Sequence, residues 1–358
     1  MSHFEIINDS SRWNAITKSF KKLDSYFSYE YGSLFAKQEK GILLAAYYEN
    51  DSSSIFYPFI KREVPYGKEK YYDIVTPYGY GGPILVGTKT NIVDFYMHFK
   101  KYCISNQIIT ETIRFHPFYE NHKYCEQVMD VQYIRQTTSV DLSVSLDTIR
   151  KNYTLMNKRN IKKAQKIGLS CFIADKSSEN IDLFMEMYKE TMDRNKASEY
   201  YYFDKSFFLE QVKDNDLSKS FILFTKHESE IIAGTIVIIG QDYGHYHLGA
   251  SRTEYLDLKP NNLLFDFMIE FCHSLGIKAL HLGGGYSEDD GLFKFKSSFT
   301  NNHNHPYYIG KKVHSPDEYE KISNEINEFY EVNNTYFPVY RGIIGKKKVS
   351  TTNSSGGD

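Results

Sequence analysis

Hydrophobic positions fall into short apolar runs parted by polar turns, and into a few stretches with helical spacing. Residues 41–50 and 54–63 are two such runs, separated by the turn-like Asn50-Asp51-Ser52-Ser53, which predicts paired strands. Residues 71–75 predict a third strand, running into Pro77-Tyr78-Gly79-Tyr80-Gly81-Gly82-Pro83, a loop that cannot be regular structure. Ile92, Phe95, Tyr96 and Phe99 follow helical spacing. A strand over 108–115, a helix near 118–129 and a strand near 137–142 come next.

The middle of the chain opens with a basic amphipathic helix over 150–166. Ile149, Tyr153, Met156, Ala164 and Ile167 lie on one side, and Arg150, Lys151, Lys158, Arg159, Lys162, Lys163 and Lys166 largely on the other. Gly168 is its natural stop. Ser177 or Ser178 caps a second helix, with Ile181, Phe184, Met185, Tyr188 and Met192 on one face. Strands are predicted over 220–225, 231–240 and 243–250, the last two joined by only Gln241-Asp242, a hairpin connection. Pro260-Asn261-Asn262 starts a helix whose apolar face is Leu263, Leu264, Phe267, Met268, Phe271 and Leu275. A strand over 278–282 then ends in Gly283-Gly284-Gly285. Ser315-Pro316-Asp317-Glu318 reads as a capping box opening a last helix, and residues 346–358 are expected to be disordered. The order helix, strand meander, helix, strand occurs twice without a residue-level repeat. It predicts an α+β chain of two similar domains, divided near residue 145.

A length of 358 residues suits two domains. Lys+Arg 43 against Asp+Glu 45 excludes a chain built mainly as a polyanion binder. No apolar run approaches the ~18 residues of a membrane span, and the start MSHFEIINDSSRWN has no signal core, so a cytoplasmic protein is expected. Cys103, Cys125, Cys171 and Cys272 form no CxxC and are expected to be reduced, with no zinc site and no disulfide framework. Tyr 31 and Phe 25 against Trp 1 would suit a glycan or nucleobase surface, but core packing is the ordinary use of such rings.

The strand over 243–250, the helix over 261–275 and the strand over 278–282 carry the candidate chemistry. A helix that starts directly after a strand offers free N–H groups and a positive dipole end to an anion. In the segment 289–299, Phe295 and Phe299 share a helix side and would anchor it, while Lys296 lies off that side, near the triple glycine. Glycines admit a substrate close to the backbone, and a lysine there could stabilise an oxyanion. His245 and His247 share a strand face. Two imidazoles do not make a zinc site, and His303 and His305 fall in a loop-like stretch, so no metal is expected. The absence of Walker, GxGxxG, GxSxG and HExxH patterns argues against NTPases, Rossmann dehydrogenases, serine esterases and zincins.

Several segments in order carry a resemblance. They are YPFIKR (57–62), PYGYGGP (77–83), RFHPF (114–118), NKRNIKKAQKIGL (157–169), ETMDR (190–194), LGAS…LKPNNLL (248–264) and LGGGYSEDDGLFKFKSSF (282–299). Over about residues 10–310 the chain resembles the Fem-like branch of the GNAT acyltransferase superfamily. That branch includes peptidoglycan-bridge aminoacyltransferases and acetyltransferases of cell-surface polysaccharide clusters. The resemblance implies tandem GNAT-like domains, each a mixed, mostly antiparallel sheet flanked by helices. The first would cover 1–145, joined by the segment 306–345, and the second 146–305, with a substrate channel between them. It implies direct attack of an amine on an activated acyl group. Lys296 would polarise the carbonyl and donor phosphates, and Arg194 would line the substrate region. Tyr78, Tyr80 and Arg114 would line the channel from the first domain, with Tyr246 in the same substrate set. The usual glycine-bearing pyrophosphate loop is replaced by Leu256–Asn262 in this sequence, which leaves Lys259, Asn261 and Asn262 with Gly283, Gly284 and Gly285 to hold the donor. His247, Glu288 and Asp289 are the candidate bases. The expected activity is N-acylation by acyl-CoA of an amino group on a sugar nucleotide or lipid-linked sugar, with peripheral contact at the inner membrane face in the lipid-linked case. Alternatives are an aminoacyl-tRNA-dependent transferase acting on a peptidoglycan precursor and a non-enzymatic glycan binder on the same scaffold.

Overall fold

Polar caps and apolar stripes set the elements. Asp9 accepts the Arg12 N–H at 2.8 Å, and Ser28 accepts the Tyr31 N–H at 3.2 Å, so each helix of the first pair begins where its side chain can satisfy an orphan donor. The computed structural model describes residues 2–65 and 69–347. The first half runs β1 (His3–Ile7), α1 (Ser10–Ser19), α2 (Tyr29–Gln38), β2 (Ile42–Asn50), β3 (Ser53–Glu63), β4 (Tyr72–Val75), β5 (Ile84–Gly87), α3 (Ile92–Ser105), β6 (Ile108–Arg114), α4 (His122–Cys125) and β7 (Asp130–Asp141). The second runs α5 (Leu146–Asn152), α6 (Leu155–Lys166), β8 (Ser170–Ala174), α7 (Ser178–Arg194), α8 (Lys205–Gln211), β9 (Lys219–His227), β10 (Glu230–Ile239), β11 (Tyr243–Ser251), α9 (Pro260–Ser274), β12 (Ala279–Gly283) and α10 (Gly291–Ser297). The chain closes with β13 (Asn304–Val313), α11 (Pro316–Phe329), β14 (Tyr330–Val332) and β15 (Ile343–Lys346).

One thirteen-stranded sheet joins the halves in the order β1-β2-β3-β4-β6-β13-β7-β12-β11-β10-β9-β8, with β5 on β3. Neighbours are antiparallel except at β4–β6 and β11–β12, which are parallel. Each parallel pair follows a strand–helix–strand crossover, through α3 and α9. β13 inserts between β6 and β7 and so returns to the first half. Ser145 caps α5 by accepting the Thr148 N–H.

Aromatic rings fill the core. The single tryptophan, Trp13, is fully enclosed, donates its indole N–H to the Phe27 carbonyl at 2.9 Å and meets Phe56 edge-on at 5.2 Å. One core cluster joins α1 and α2 of the first half with α7 and α8 of the second, so the halves share apolar burial as well as sheet bonds.

Several expectations need correction. The helix near 118–129 shrinks to α4, because Asn121 spends its amide on the carbonyls of Gly81 and Pro83 and on the His116 N–H. The single basic helix breaks at Tyr153-Thr154: Thr154 caps α6 and Tyr153 donates to Asp266. Ser315 precedes α11 without a side-chain capping bond. The loop-like stretch around His305-Pro306 is β13, where Pro306 pairs only with β7 because the β6 register begins at Ile309, so its missing N–H costs no ladder bond. The expected disordered tail lies outside the described residues from 348 on, while Lys346 belongs to β15.

Candidate active site

β11 and β12 pair over only three residues, Tyr243↔Ala279, Gly244↔Leu280 and His245↔His281, and then part. On the other edge of β11, Tyr246 pairs with Val237 and Leu248 with Ile236, which leaves His247 as the extra residue of a bulge. β12 continues to Gly283, which takes φ 77, a left-handed conformation that suits glycine. The loop behind it is held by Asp290. One carboxylate oxygen accepts the Tyr286 and Ser287 N–H groups at 2.5 and 3.1 Å, and the other caps α10 through the Phe293 N–H at 2.8 Å. A Cβ at Gly285 would lie 2.0 Å from that carboxylate, so the third glycine is required by packing.

α10 delivers Lys296 to the opening. Its side chain is only 6% exposed, and its Nζ donates to the Gly284 carbonyl at 2.8 Å. It lies 5.4 Å over the Tyr246 ring and 3.4 Å from where a Gly283 Cβ would stand. Burial pushes the ammonium down to about 7, with Asp290 opposing and Arg135 adding to the shift. The Tyr80 hydroxyl stands 4.0 Å from the same Gly283 position.

Two arginines extend this crevice into the first half. Arg114, at the end of β6, donates only one bond from its guanidinium, to the Thr76 carbonyl at 3.1 Å. Arg135, on β7, bonds the Tyr286 carbonyl at 2.9 Å and lies 5.7 Å over the Tyr307 ring. Neither these arginines nor Lys296 forms an ion pair among the described residues. Both arginines act electrostatically on Tyr307, while Glu39 faces Arg114 and Asp290 faces Lys296. Tyr78 stacks on Phe35 at 5.2 Å and closes the same region with His247 at 6.1 Å. His247 shares a hydrogen bond of 3.1 Å with Gln211, and burial lowers its pKa to about 3, too weak a base to store an amine's proton but a ready acceptor. Gln211 also lines a groove of about 720 Å³ between α2 and α8.

The remaining expected residues are placed differently. Arg194 ends α7 and spends its guanidinium on Ser251 O and Oγ, Thr253 Oγ1 and Thr191 Oγ1, fixing the end of β11 where the segment leading to α9 starts. Asn261 also reaches Ser251 Oγ, at 3.4 Å. Asn262 is buried and donates to Asn157 of α6 at 2.8 Å, so its side chain is already committed. Lys259 caps α9 in the left-handed region, with φ 65. Glu288 accepts the Tyr133 hydroxyl at 2.6 Å, and Asp289 is exposed on the loop with φ 54, making none of the crevice's hydrogen bonds. Sequence reasoning missed Arg135, Tyr307 and Gln211, which stand far from the glycine loop in the chain.

Beneath the opening, Asp24 of the first half accepts from His116 and from His245 at 2.7 Å each, all three fully enclosed. Burial alone would raise the Asp24 carboxyl, yet the imidazoles, His245 foremost, hold it well below the usual carboxylate range. Among the described residues this is the one group with a metal-ligand composition. However, the His116 Nδ1 accepts the Phe118 N–H at 3.3 Å, which puts the ring's proton on Nε2, facing Asp24. A ring that ligates through Nε2 would carry that proton on Nδ1. The arrangement is that of a carboxylate–imidazole clasp between the halves.

A family model described as an acetyltransferase (GNAT) domain matches residues 155–297. No curated protein matches by sequence. Among solved structures, FemX superposes with a TM-score of 0.66 at 14% identity, covering 89% of this chain and 99% of its own. L-PGS from Bacillus licheniformis gives 0.57 at 12%, covering 85% and 92%. A tandem GNAT protein from the clavulanic acid biosynthesis pathway gives 0.52 at 8%, covering 88% and 99%.

Proposed function

We propose that this chain, whose residues 155–297 match an acetyltransferase (GNAT) domain model and whose fold is like those of FemX and a tandem GNAT protein, transfers an acyl group from acyl-CoA to an amino group of a sugar nucleotide or lipid-linked sugar in cell-surface polysaccharide biosynthesis. The observation that carries the reading is the parting of β11 and β12 after His245↔His281, with the enclosed Lys296 at its mouth. The acyl carbonyl would enter beside Gly283 and accept from Lys296. The free amine attacks the carbonyl carbon, a C–N bond forms, and the negative charge on oxygen is met by the ammonium. The C–S bond then breaks. A group titrating near 7 can give its proton to the leaving thiolate and take one from the new nitrogen. His247 accepts a hydrogen bond from the incoming amine, and Arg114 and Arg135 hold an anionic group of the acceptor. The N-terminus of α9 with Lys259 supports the donor's phosphates, without a glycine loop.

The test is incubation with acetyl-CoA and a panel of amino-sugar nucleotides, following free thiol. Turnover lost in Lys296→Met is expected. No thiol release and no CoA-dependent thermal shift across a range of acyl-CoAs would overturn the reading. A second reading keeps the chemistry and replaces the thioester by an aminoacyl-tRNA ester. The absent glycine loop favours it, and binding of labelled tRNA that weakens steeply with salt would support it.

A further inference from the structure

α6 carries a surface that the proposed chemistry does not use. Its inner face, Asn157, Ile161 and Ala164, is buried. Its outer face follows the spacing i, i+4, i+7, i+11 through Leu155, Arg159, Lys162 and Lys166, which puts these four on one side. Leu155 and Met156, the first two residues of the helix, are 73% and 64% exposed. The helix contains no acidic residue, and none of its cations forms an ion pair among the described residues. An apolar tip followed by a cationic face is the pattern of a segment lying in a bilayer interface. The tip adjoins the crevice: the Thr154 N–H donates to the Ser298 carbonyl at 3.0 Å, two residues beyond Lys296.

We infer that α6 is a docking surface for an anionic phospholipid bilayer, with Leu155 and Met156 entering the interface and Arg159, Lys162 and Lys166 against the headgroups. Charge complementarity names the headgroups, and the exposed Leu-Met pair selects a bilayer over a nucleic acid, whose phosphates give an apolar tip nothing to enter. No described helix is long and apolar enough to cross a membrane, so the contact is at the surface. The inference deepens the lipid-linked form of the proposed function and rests on it for its biological sense, while the binding itself is measured without turnover.

The experiment is flotation of the full chain with vesicles of 30% phosphatidylglycerol in phosphatidylcholine and with pure phosphatidylcholine, at low and at physiological salt. Partition onto the anionic vesicles is expected to exceed that onto the neutral ones at least tenfold. Both Leu155→Ser/Met156→Ser and Arg159→Glu/Lys162→Glu should reduce it about tenfold or more. All four positions are exposed on α6, and unchanged melting curves verify folding. Equal partition onto both vesicle types, or partition indifferent to both variants, overturns the inference. So does tight binding of labelled tRNA through the same cations without vesicle binding. Vesicle binding without acyl transfer would refute the proposed function alone, and acyl transfer without vesicle binding would refute the docking surface alone.

Discussion

Replacing Lys296 by methionine should stabilise the protein at pH 6 while abolishing its chemistry. The side chain is nearly enclosed and burial lowers its pKa from 10.5 to about 7. The folded state therefore binds fewer protons than the unfolded state wherever the pH lies between these values, and stability falls as the pH falls through that window. At 1.36 kcal/mol per unit the full penalty is about 5 kcal/mol, complete below pH 7 and about 1 kcal/mol at pH 10. Methionine keeps the unbranched apolar stem, one atom shorter, loses the charge, and gives up the bond to the Gly284 carbonyl, about 1–3 kcal/mol. Urea unfolding of both proteins at pH 6 and pH 10 reads the difference. The variant's stability relative to wild type should be greater at pH 6 than at pH 10 by up to about 4 kcal/mol, and turnover should fall about 10²–10³-fold. A relative stability that does not change with pH would refute the claim that Lys296 is held against its charge.

Three further outcomes follow from the geometry. Arg114→Leu should raise the acceptor KM about 10–100-fold with little change in kcat, because a charge-assisted bond to an anion is lost while the acyl site is untouched. Gly285→Ala should cut turnover at least about tenfold by driving its Cβ into the Asp290 carboxylate that caps α10, whereas Gly291→Ala, which meets open space, should be silent. Asp24→Asn should cost about 3 kcal/mol or more at pH 7 in urea unfolding, since two bonds to a charged group are weakened. The Asp24 carboxyl is depressed in the fold, so wild type should lose this advantage as the pH falls below about 4, and the variant should not.

The legible parts of the molecule were those written locally. The β10–β11 hairpin, α9 and the strand into the triple glycine follow from a two-residue turn, one apolar helix face and a glycine run, and they place Lys296 at the opening. β13 was hidden because His305-Pro306 suggests a loop, and only the late start of the β6 register makes that proline harmless. Arg135 and Tyr307 join the crevice through the β7–β13 ladder, a pairing between segments far apart in the chain. The Asp24 clasp needs three segments to meet, and no local spacing announces that. Asp289 has the residue type and neighbours of a candidate base, yet the adjacent Asp290 holds the loop, because its position is the one that caps α10.

The most direct measurement is the infrared stretch of isotopically labelled acetyl-CoA, recorded free and bound. A carbonyl seated against Lys296 should absorb at lower frequency when bound to the wild-type protein and return toward the solution value in Lys296→Met. A bound carbonyl that absorbs as it does in water, or that shifts equally in both proteins, would contradict the assignment of this crevice as the acyl site.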